Sequence, residues 1–178
     1  MKPRSWTRIF ADPRGVFVTI NSATPGPERL RGCIGFPYPV KPLGEAIQEA
    51  TIAASSEDPR FSPVSIGELS SVVVEVSILT KPKVLSTSRP QDRPSRVRIG
   101  VDGLIVSRFG LSGLLLPQVA TEFSMDQTEF LSQACLKAGL SPDSWLDKET
   151  EVQTFQAEIF VEMTPRGRVV SGDHPEPR

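Results

Sequence analysis

The residues best suited to chemistry lie in one short segment, Leu30-Arg-Gly-Cys-Ile-Gly35. A cysteine thiol can act as a nucleophile, and the guanidinium of Arg31 can hold a carboxylate or a phosphate through its planar fork. Glycine weakens a strand, so Gly32 and Gly35 indicate that a ligand or another backbone segment approaches closely. On a regular strand Arg31 and Cys33 share a face. The segment therefore predicts one site, with Arg31, Gly32 and Gly35 binding a ligand and Cys33 acting catalytically.

A structural interpretation of the same segment stays open. The two glycines would then shape a bulge, and Cys33 would be a small buried apolar residue. Covalent catalysis also lacks a histidine base, because the only histidine, His174, lies in a C-terminal stretch with too few apolar residues to pack. This histidine and two cysteines fall short of the about four ligands of a zinc site. We therefore expect no metal and no cofactor.

Two further residues are candidates for the same site. Arg60, in the segment Asp58-Pro-Arg-Phe61, either pairs with Asp58 in a structural turn or joins Arg31 in an anion-binding cleft. Glu75 interrupts a valine-rich strand and lies either on the solvent side of a sheet or towards a groove, as a general base or a partner of Arg31. We predict Arg60 as a ligand-binding residue and Glu75 as a second catalytic residue.

Hydrophobic periodicity predicts the elements that position these residues. Alternating or β-branched segments predict strands at 15–20, 29–35, 71–80 and 152–163, the second being antiparallel to the first. A helical period predicts helices over 43–56 and 126–138, with Asp126 as the N-cap of the second. Asp102-Gly103 predicts the turn of a hairpin. Alternating strands favour antiparallel sheets, and the few, dispersed helices complete an α+β fold.

Composition limits the class of protein. The 178 residues suit one domain, or one domain with a small second lobe, and the net charge of -1 provides no overall field that would attract nucleic acid or a membrane. The segment 81–98 is locally basic, but it has no interleaved aromatic residues for base stacking, so a solvated loop is the simpler interpretation. The lack of a long apolar run and the two widely spaced cysteines predict a cytoplasmic protein. Of these cysteines, Cys135 is predicted to belong to the core.

Together these segments resemble the AMME syndrome candidate-region protein family. The hallmark hexapeptide of that family stands here as Leu30–Gly35, and the resemblance covers residues 14–163. The other matching segments follow in the family's order: Gly15-Val-Phe-Val-Thr19, Asp58-Pro-Arg-Phe61, Val73-Val-Glu-Val-Ser77, Asp102-Gly-Leu-Ile-Val106, Gly113-Leu-Leu-Leu-Pro-Gln-Val119 and Lys137-Ala-Gly-Leu140.

The resemblance implies more about fold than about function. It implies one α+β domain over residues 1–163, built as a large and a small lobe, in agreement with the antiparallel sheets that alternation predicts. The composition of residues 164–178 predicts a flexible proline-rich tail. The family's activity is not established, and proposals place it in transcription, replication, repair or translation. Its hexapeptide is the usual candidate for a functional surface, which here means Arg31 and Cys33. Family association in prokaryotes implies Memo-like or radical SAM proteins as partners.

Two functions follow as hypotheses. The first is a small-molecule or anion-binding domain, with or without enzymatic activity, whose groove surrounds the hexapeptide. The alternative is a non-catalytic protein-interaction module in basic cellular machinery. We expect neither nucleic acid nor membrane as a partner.

Overall fold

A computed structural model of the chain describes residues 8–24, 26 and 29–171, so His174 lies outside the described residues. Four short 3-10 helices, at 66–70, 90–92, 94–96 and 144–146, lie between the main elements. The main elements are, in chain order, α1 (Arg8–Ala11), β1 (Gly15–Ser22), β2 (Leu30–Phe36), α2 (Leu43–Ser56), β3 (Val72–Leu79), β4 (Lys83–Val84), β5 (Gly103–Arg108), β6 (Leu111–Leu115), α3 (Pro117–Glu122), α4 (Gln127–Lys137), β7 (Glu151–Phe155), β8 (Ala157–Glu162) and β9 (Val169–Ser171).

The predicted α+β class is confirmed. Every strand pair whose register the structure gives is antiparallel. Among the described residues the chain divides into two compact units, of which unit 2 is residues 80–157 and unit 1 is the remainder. None of the helices that the structure describes is long and apolar enough to cross a membrane.

Unit 1 is a five-stranded sheet in the order β2-β1-β3-β8-β9, with α2 packed on one face. The packing follows from alternation, because Val16, Val18 and Ile20 of β1 point to the helix and are buried. The apolar stripe of α2 meets them through three buried alanines, Ala46, Ala50 and Ala54. We call this side of the sheet the helix face and the opposite side the second face.

Gly32 lets α2 approach the backbone of β2. A Cβ atom at residue 32 would lie 1.9 Å from the carbonyl oxygen of Ala54, a distance that no real side chain tolerates. Gly35 lies on the second face, where its own Cβ would collide with the ring of its cross-strand neighbour Phe17, at 2.5 Å. Both glycines are therefore explained by close packing of the protein's own atoms.

The C-terminal strand prediction is wrong in one respect. The pattern over residues 152–163 alternates without a break, yet the structure interrupts it at Gln156 and assigns β7 and β8 to different sheets. Thr80 marks the break, because its N–H donates to the Gln156 carbonyl and its hydroxyl accepts the Gln156 N–H. The predicted tail also differs, since Val169–Ser171 pair with β8 as strand β9.

Unit 2 is a four-stranded sheet in the order β4-β7-β5-β6, covered by α4. Its core includes Phe130, Leu131 and Cys135 from α4, as predicted for Cys135. Asp126 caps α4 as expected, accepting a hydrogen bond from the Glu129 N–H at 2.8 Å.

The hairpin predicted at Asp102-Gly103 is wrong. The Asp102 carboxylate instead accepts hydrogen bonds from the backbone and guanidinium of Arg98, and residues 97–100 form no strand. The real hairpin joins β5 to β6 through Phe109 and Gly110, which both have positive φ. A phenylalanine in this conformation has no usual turn signature, so the sequence did not reveal it.

The packing at Gly32 gives the first prediction. We expect Gly32→Ala to lower the free energy of unfolding by about 2 kcal/mol, because α2 or β2 must move to admit the new methyl group. Gly67→Ala is the control, since its Cβ would meet nothing nearer than the Ser65 hydroxyl at 3.9 Å. Urea unfolding followed by circular dichroism measures both variants. Equal loss of stability in the two would contradict this explanation of Gly32.

Candidate functional site

The edge of β2 is closed by the loop that follows α2. The Cys33 N–H donates to Oδ2 of Asp58 at 2.9 Å, and Nη2 of Arg60 donates to the Cys33 carbonyl at 3.4 Å. Because β2 is the outer strand of its sheet, these groups would otherwise face solvent without a partner. The Asp58-Pro-Arg-Phe61 loop thus replaces a missing neighbouring strand beside Cys33.

Asp58 and Arg60 form an ion pair in which the aspartate is buried and the arginine is half exposed. Oδ1 of Asp58 accepts the Arg60 N–H at 3.1 Å and Nε at 2.9 Å, while Oδ2 accepts Nη2 at 2.6 Å. The side chain of Asp58 is 2% exposed and that of Arg60 is 54% exposed. The Arg60 hydrogen bonds, aided by that of the Cys33 N–H, hold the pKa of Asp58 well below its usual value. The same pair raises the pKa of Arg60, so both groups stay charged across the physiological range.

Cys33 belongs to a row of polar residues on the second face. In the strand register Cys33 lies opposite Thr19, and Thr19 lies opposite Glu75. The Thr19 hydroxyl donates a hydrogen bond to Sγ of Cys33 at 3.3 Å. Cys33 is partly exposed, whereas Glu75 is only 8% exposed. We call Thr19, Cys33 and Glu75 the polar row.

The polar row changes two interpretations of the sequence. The thiol of Cys33 is not sealed in the core, which removes the buried apolar interpretation. The solvent-side alternative for Glu75 is wrong, because Glu75 itself is only 8% exposed. A buried carboxylate beside a hydroxyl and a thiol is an arrangement that can bind a polar ligand or move a proton.

Arg31 is not placed as the sequence predicted. Ile20 pairs with Gly32 and Asn21 pairs with Leu30, so Arg31 is the extra residue of a β-bulge and the regular alternation stops there. Its guanidinium pairs with Glu68 at 2.9 Å and donates to the Ser62 carbonyl at 3.3 Å. The guanidinium of Arg31 thus binds Ser62 of the loop after α2 and Glu68 of the 3-10 helix 66–70.

Glu68 has its own network of donors. Its second oxygen accepts the N–H and the hydroxyl of Ser65, at 2.9 and 3.0 Å, which completes a capping box at the start of the 3-10 helix. The hydrogen bonds from Ser65, with those from Arg31, lower the pKa of Glu68 to about 2. Glu68 is therefore a charged link between β2 and the segment 62–70.

The basic segment 81–98 is partly neutralised by carboxylates within unit 2. Arg89 pairs with Asp92 at 2.9 Å and Arg98 pairs with Asp102 at 2.6 Å. Arg93 is 8% exposed and donates to the carbonyls of Trp145, Asp147 and Thr150, so it ties down the loop 145–150. Burial lowers the pKa of Arg93. Arg89, Arg93 and Arg98 thus bind the protein's own atoms.

The structure brings some of the predicted site residues together and separates others. Cys33 and Arg60 meet through the Cys33 carbonyl, whereas Gly32 faces α2 and Arg31 is bound to Glu68. No group of three or more histidine, cysteine, aspartate or glutamate residues could hold a metal ion within the described ranges.

Sequence reasoning missed two members of the site. Thr19 is the first polar residue of β1, a weak signal that needs the register of β1 and β2 to acquire meaning. Glu68 was detectable as the fourth residue of Ser65-Ile-Gly-Glu68, a capping-box signature, although its pairing with Arg31 was not.

Comparison with known proteins agrees with this architecture. Protein PF1979 of Pyrococcus furiosus is 49% identical over 168 residues, which are 94% of this chain and 77% of that protein. Protein MJ0810 of Methanocaldococcus jannaschii is 46% identical, over 93% of this chain and 82% of that protein. The crystal structure of the uncharacterised protein PH0010 from Pyrococcus horikoshii matches with a TM-score of 0.91 and 47% identity, covering 97% of this chain and 85% of that one.

The fold defines a class of α+β proteins to which the uncharacterised protein PH0010 also belongs. The AMMECR1 family model matches residues 1–160. This chain belongs to the AMMECR1 family, which confirms the resemblance drawn from the sequence.

The carboxylate of Asp58 gives the second prediction. We expect Asp58→Ala to lower the free energy of unfolding by about 2 kcal/mol, since the Cys33 N–H and the Arg60 guanidinium both lose their acceptor. The control is Asp92→Ala in the Arg89–Asp92 pair, whose side chains are 74% and 39% exposed. That variant should unfold at the same urea concentration as the wild type. If Asp58→Ala also unfolds at the wild-type urea concentration, the proposed role of Asp58 is wrong.

The pKa of Glu68 gives the third prediction. Folding lowers this pKa from 4.5 to about 2, so the charged form stabilises the native chain fully above pH 4.5 and less as the pH falls towards 2. The difference in the free energy of unfolding between wild type and Glu68→Gln should therefore shrink over this interval. Urea unfolding at several pH values tests this expectation. If the difference in unfolding free energy between wild type and Glu68→Gln is the same at pH 4.5 and at pH 2, the prediction is wrong.

Proposed function

We propose that this protein binds a small molecule on the second face of the unit 1 sheet, at the polar row, and that Cys33 contacts it. The observation that carries the proposal is the hydrogen bond from Thr19 to the sulfur of the partly exposed residue Cys33, in register with the buried residue Glu75. A thiol, a hydroxyl and a carboxylate on three adjacent strands can contact one ligand, because neighbouring strands lie about 4.8 Å apart.

The charges favour a neutral or cationic ligand over an anion. The two arginines that an anion would use, Arg31 and Arg60, are each paired with a carboxylate, Glu68 and Asp58 respectively. An incoming anion would have to compete with those intramolecular pairs. Glu75 is the nearly buried carboxylate of the row, and carboxylate oxygens accept hydrogen bonds from ligand donors. A polar ligand with N–H or O–H groups therefore fits the row best.

Enzymatic activity at this row is a narrower proposal. Cys33 has the side chain of a nucleophile, and the Thr19 hydroxyl and the Glu75 carboxylate follow it in strand order. Glu75 is the candidate general base and Cys33 the candidate nucleophile. Both proposals share a requirement that can be tested directly, namely that Cys33 is covered when the ligand is bound.

The alternative is a protein partner that covers the neighbouring 3-10 helix. Ile66 and Leu69 on that helix are 89% and 46% exposed, and Glu68 between them binds Arg31. Exposed aliphatic side chains beside the hexapeptide would suit a protein surface, of which a Memo-like or radical SAM protein is the proposed example by family association. A partner on this surface would reach Cys33 less directly than a ligand on the polar row.

Protection of Cys33 from alkylation is the fourth prediction. Iodoacetamide should label Cys33 but not Cys135 in the native protein, because Cys135 is fully buried and burial raises its pKa. The low-molecular-mass filtrate of a cell extract should slow labelling of Cys33, by about tenfold when the ligand is at ten times its dissociation constant. Mass spectrometry of the two cysteine peptides measures the rates.

The controls separate the alternatives. Glu75→Gln and Thr19→Val should lose the protection, whereas Thr19→Ser should keep it because the hydroxyl remains. Labelling of Cys135 after unfolding provides the internal reference. Equal rates with and without the filtrate would refute the small-molecule proposal. Protection by the protein fraction alone, abolished by Ile66→Glu, would support the partner alternative instead.

A further inference from the structure

The edges of the two sheets are protected to different degrees. In unit 1 the edge of β2 is closed by Asp58 and Arg60. In unit 2 the edge strand β4 is two residues long and begins with Lys83, so it offers little template for another strand. The opposite edge, β6, has five residues, Leu111-Ser-Gly-Leu-Leu115, with neither charge nor proline. Strand β6 thus lacks the usual features that block edge pairing.

The hairpin turn fixes which backbone groups of β6 point outward. Phe109 and Gly110 have φ values of 53° and 79°, typical of a two-residue hairpin loop, so Arg108 and Leu111 form a hydrogen-bonded pair. Hydrogen-bonded pairs alternate along the ladder, which makes Gly113 the next such residue of β6. The N–H and C=O groups of Ser112 and Leu114 therefore point away from β5. Within the part of the chain that is described, β6 has a strand partner on one side only.

Exposed apolar side chains accompany this open edge. Phe109 is 77% exposed at the tip of the hairpin, and Leu111 is 46% exposed. Phe109 also occupies a backbone conformation that disfavours a bulky residue. Its ring stacks on the guanidinium of Arg108 at 4.4 Å, which fixes its direction but leaves most of its surface uncovered. A strained and exposed aromatic residue beside an unpaired strand points to an interaction surface.

We propose that β6 pairs antiparallel with β6 of a second copy of this chain, with the two-fold axis at Gly113. In this register Ser112 lies opposite Leu114 of the second copy, and the outward groups form about four backbone hydrogen bonds. Leu111 then lies opposite Leu115, and Phe109 reaches the level of Pro117. The exposed Leu111 of each copy thus meets an apolar residue of the other.

The charge distribution favours a second copy as the occupant. Strand β6 carries no ionisable side chain, so pairing it with itself places no like charges opposite each other. The net charge of -1 gives little overall repulsion between copies. A two-fold contact is also closed, since each copy uses its β6 edge to pair with the same edge of the other.

The fifth prediction is a dimer that depends on the edge of β6. Light scattering of the full chain over a range of concentrations should show twice the monomer mass at high concentration. Ser112→Lys should raise the dimer dissociation constant at least about tenfold, because it places a charge from each copy beside the axis. The matched control is Val84→Lys, at the exposed opposite edge of the same sheet, which should leave the constant unchanged.

Hydrogen exchange provides a second measurement that does not rely on a substitution. The amides of Ser112 and Leu114 should be protected at high concentration and exchange rapidly on dilution, whereas that of Gly113 should stay protected. A wild-type chain that is monomeric over the whole range would overturn the proposal. A dimer unaffected by Ser112→Lys, with rapidly exchanging amides at 112 and 114, would overturn it as well. If the amides of Ser112 and Leu114 are protected only when another protein is added, the dimer proposal is wrong and a strand of that protein pairs with β6 instead.

Discussion

The carboxylate of Asp58 is the interaction on which the surroundings of Cys33 depend. A nearly buried carboxylate is costly unless its oxygens accept several hydrogen bonds, and here they accept N–H groups from Arg60 and Cys33. The same bonds solve a second problem, because β2 is an edge strand with backbone groups to satisfy. The Asp58 side chain therefore stabilises the loop 58–61 through Arg60 and satisfies the edge of β2 through the Cys33 N–H. These two interactions together fix the position of the Cys33 backbone.

Strand β2 is held from two directions by segments only a few residues apart. Ala54, near the end of α2, contacts the helix face at Gly32, and Asp58, in the loop that follows, contacts the edge at Cys33. The glycine is required for the first contact, and the carboxylate is required for the second. With the helix face and the edge both occupied, the side chain of Cys33 has only the second face, where Thr19 contacts it. The rigidity of this backbone is what lets a thiol be presented in a fixed direction.

Local patterns predicted the elements well where one periodicity decided the outcome. The predicted range of α2 coincides with the observed helix, and β1, β2 and β3 differ from their predicted ranges by a few residues at most. The predictions failed where a contact distant in sequence decides the outcome. The bulge at Arg31 exists only relative to β1, and the burial of Glu75 depends on what covers the second face. The break at Gln156 interrupts an alternation that continues on both sides of it, so no window of residues could detect it.

The same limit applies to the chemistry of the site. The sequence singled out Cys33, Arg60 and Glu75 as residues that needed an explanation, and it offered Asp58 as one of two partners for Arg60. It could not assign a partner to Cys33. Aspartate next to Pro-Arg reads as a turn, and its hydrogen bond to the Cys33 N–H spans 25 residues. Arg31 and Cys33 are two residues apart, which suggested a common face until the bulge separated their roles. Residue type indicated where polar groups would be needed, and strand register determined which of them meet.

The contrast between β2 and β6 shows how the chain distributes its charged residues. At β2, and again at Asp102 with Arg98, an aspartate accepts a backbone N–H and is held by an arginine a few residues away. Strand β6 has no such pair, although it has the same unpaired backbone and more exposed apolar surface. An unpaired edge of this kind is a hazard for aggregation unless something covers it. The lack of an aspartate–arginine pair at β6 is consistent with an edge that another strand covers in the working protein. At β2, the Asp58–Arg60 pair occupies the edge, so the face that carries the Cys33 side chain is the part of that strand open to a ligand.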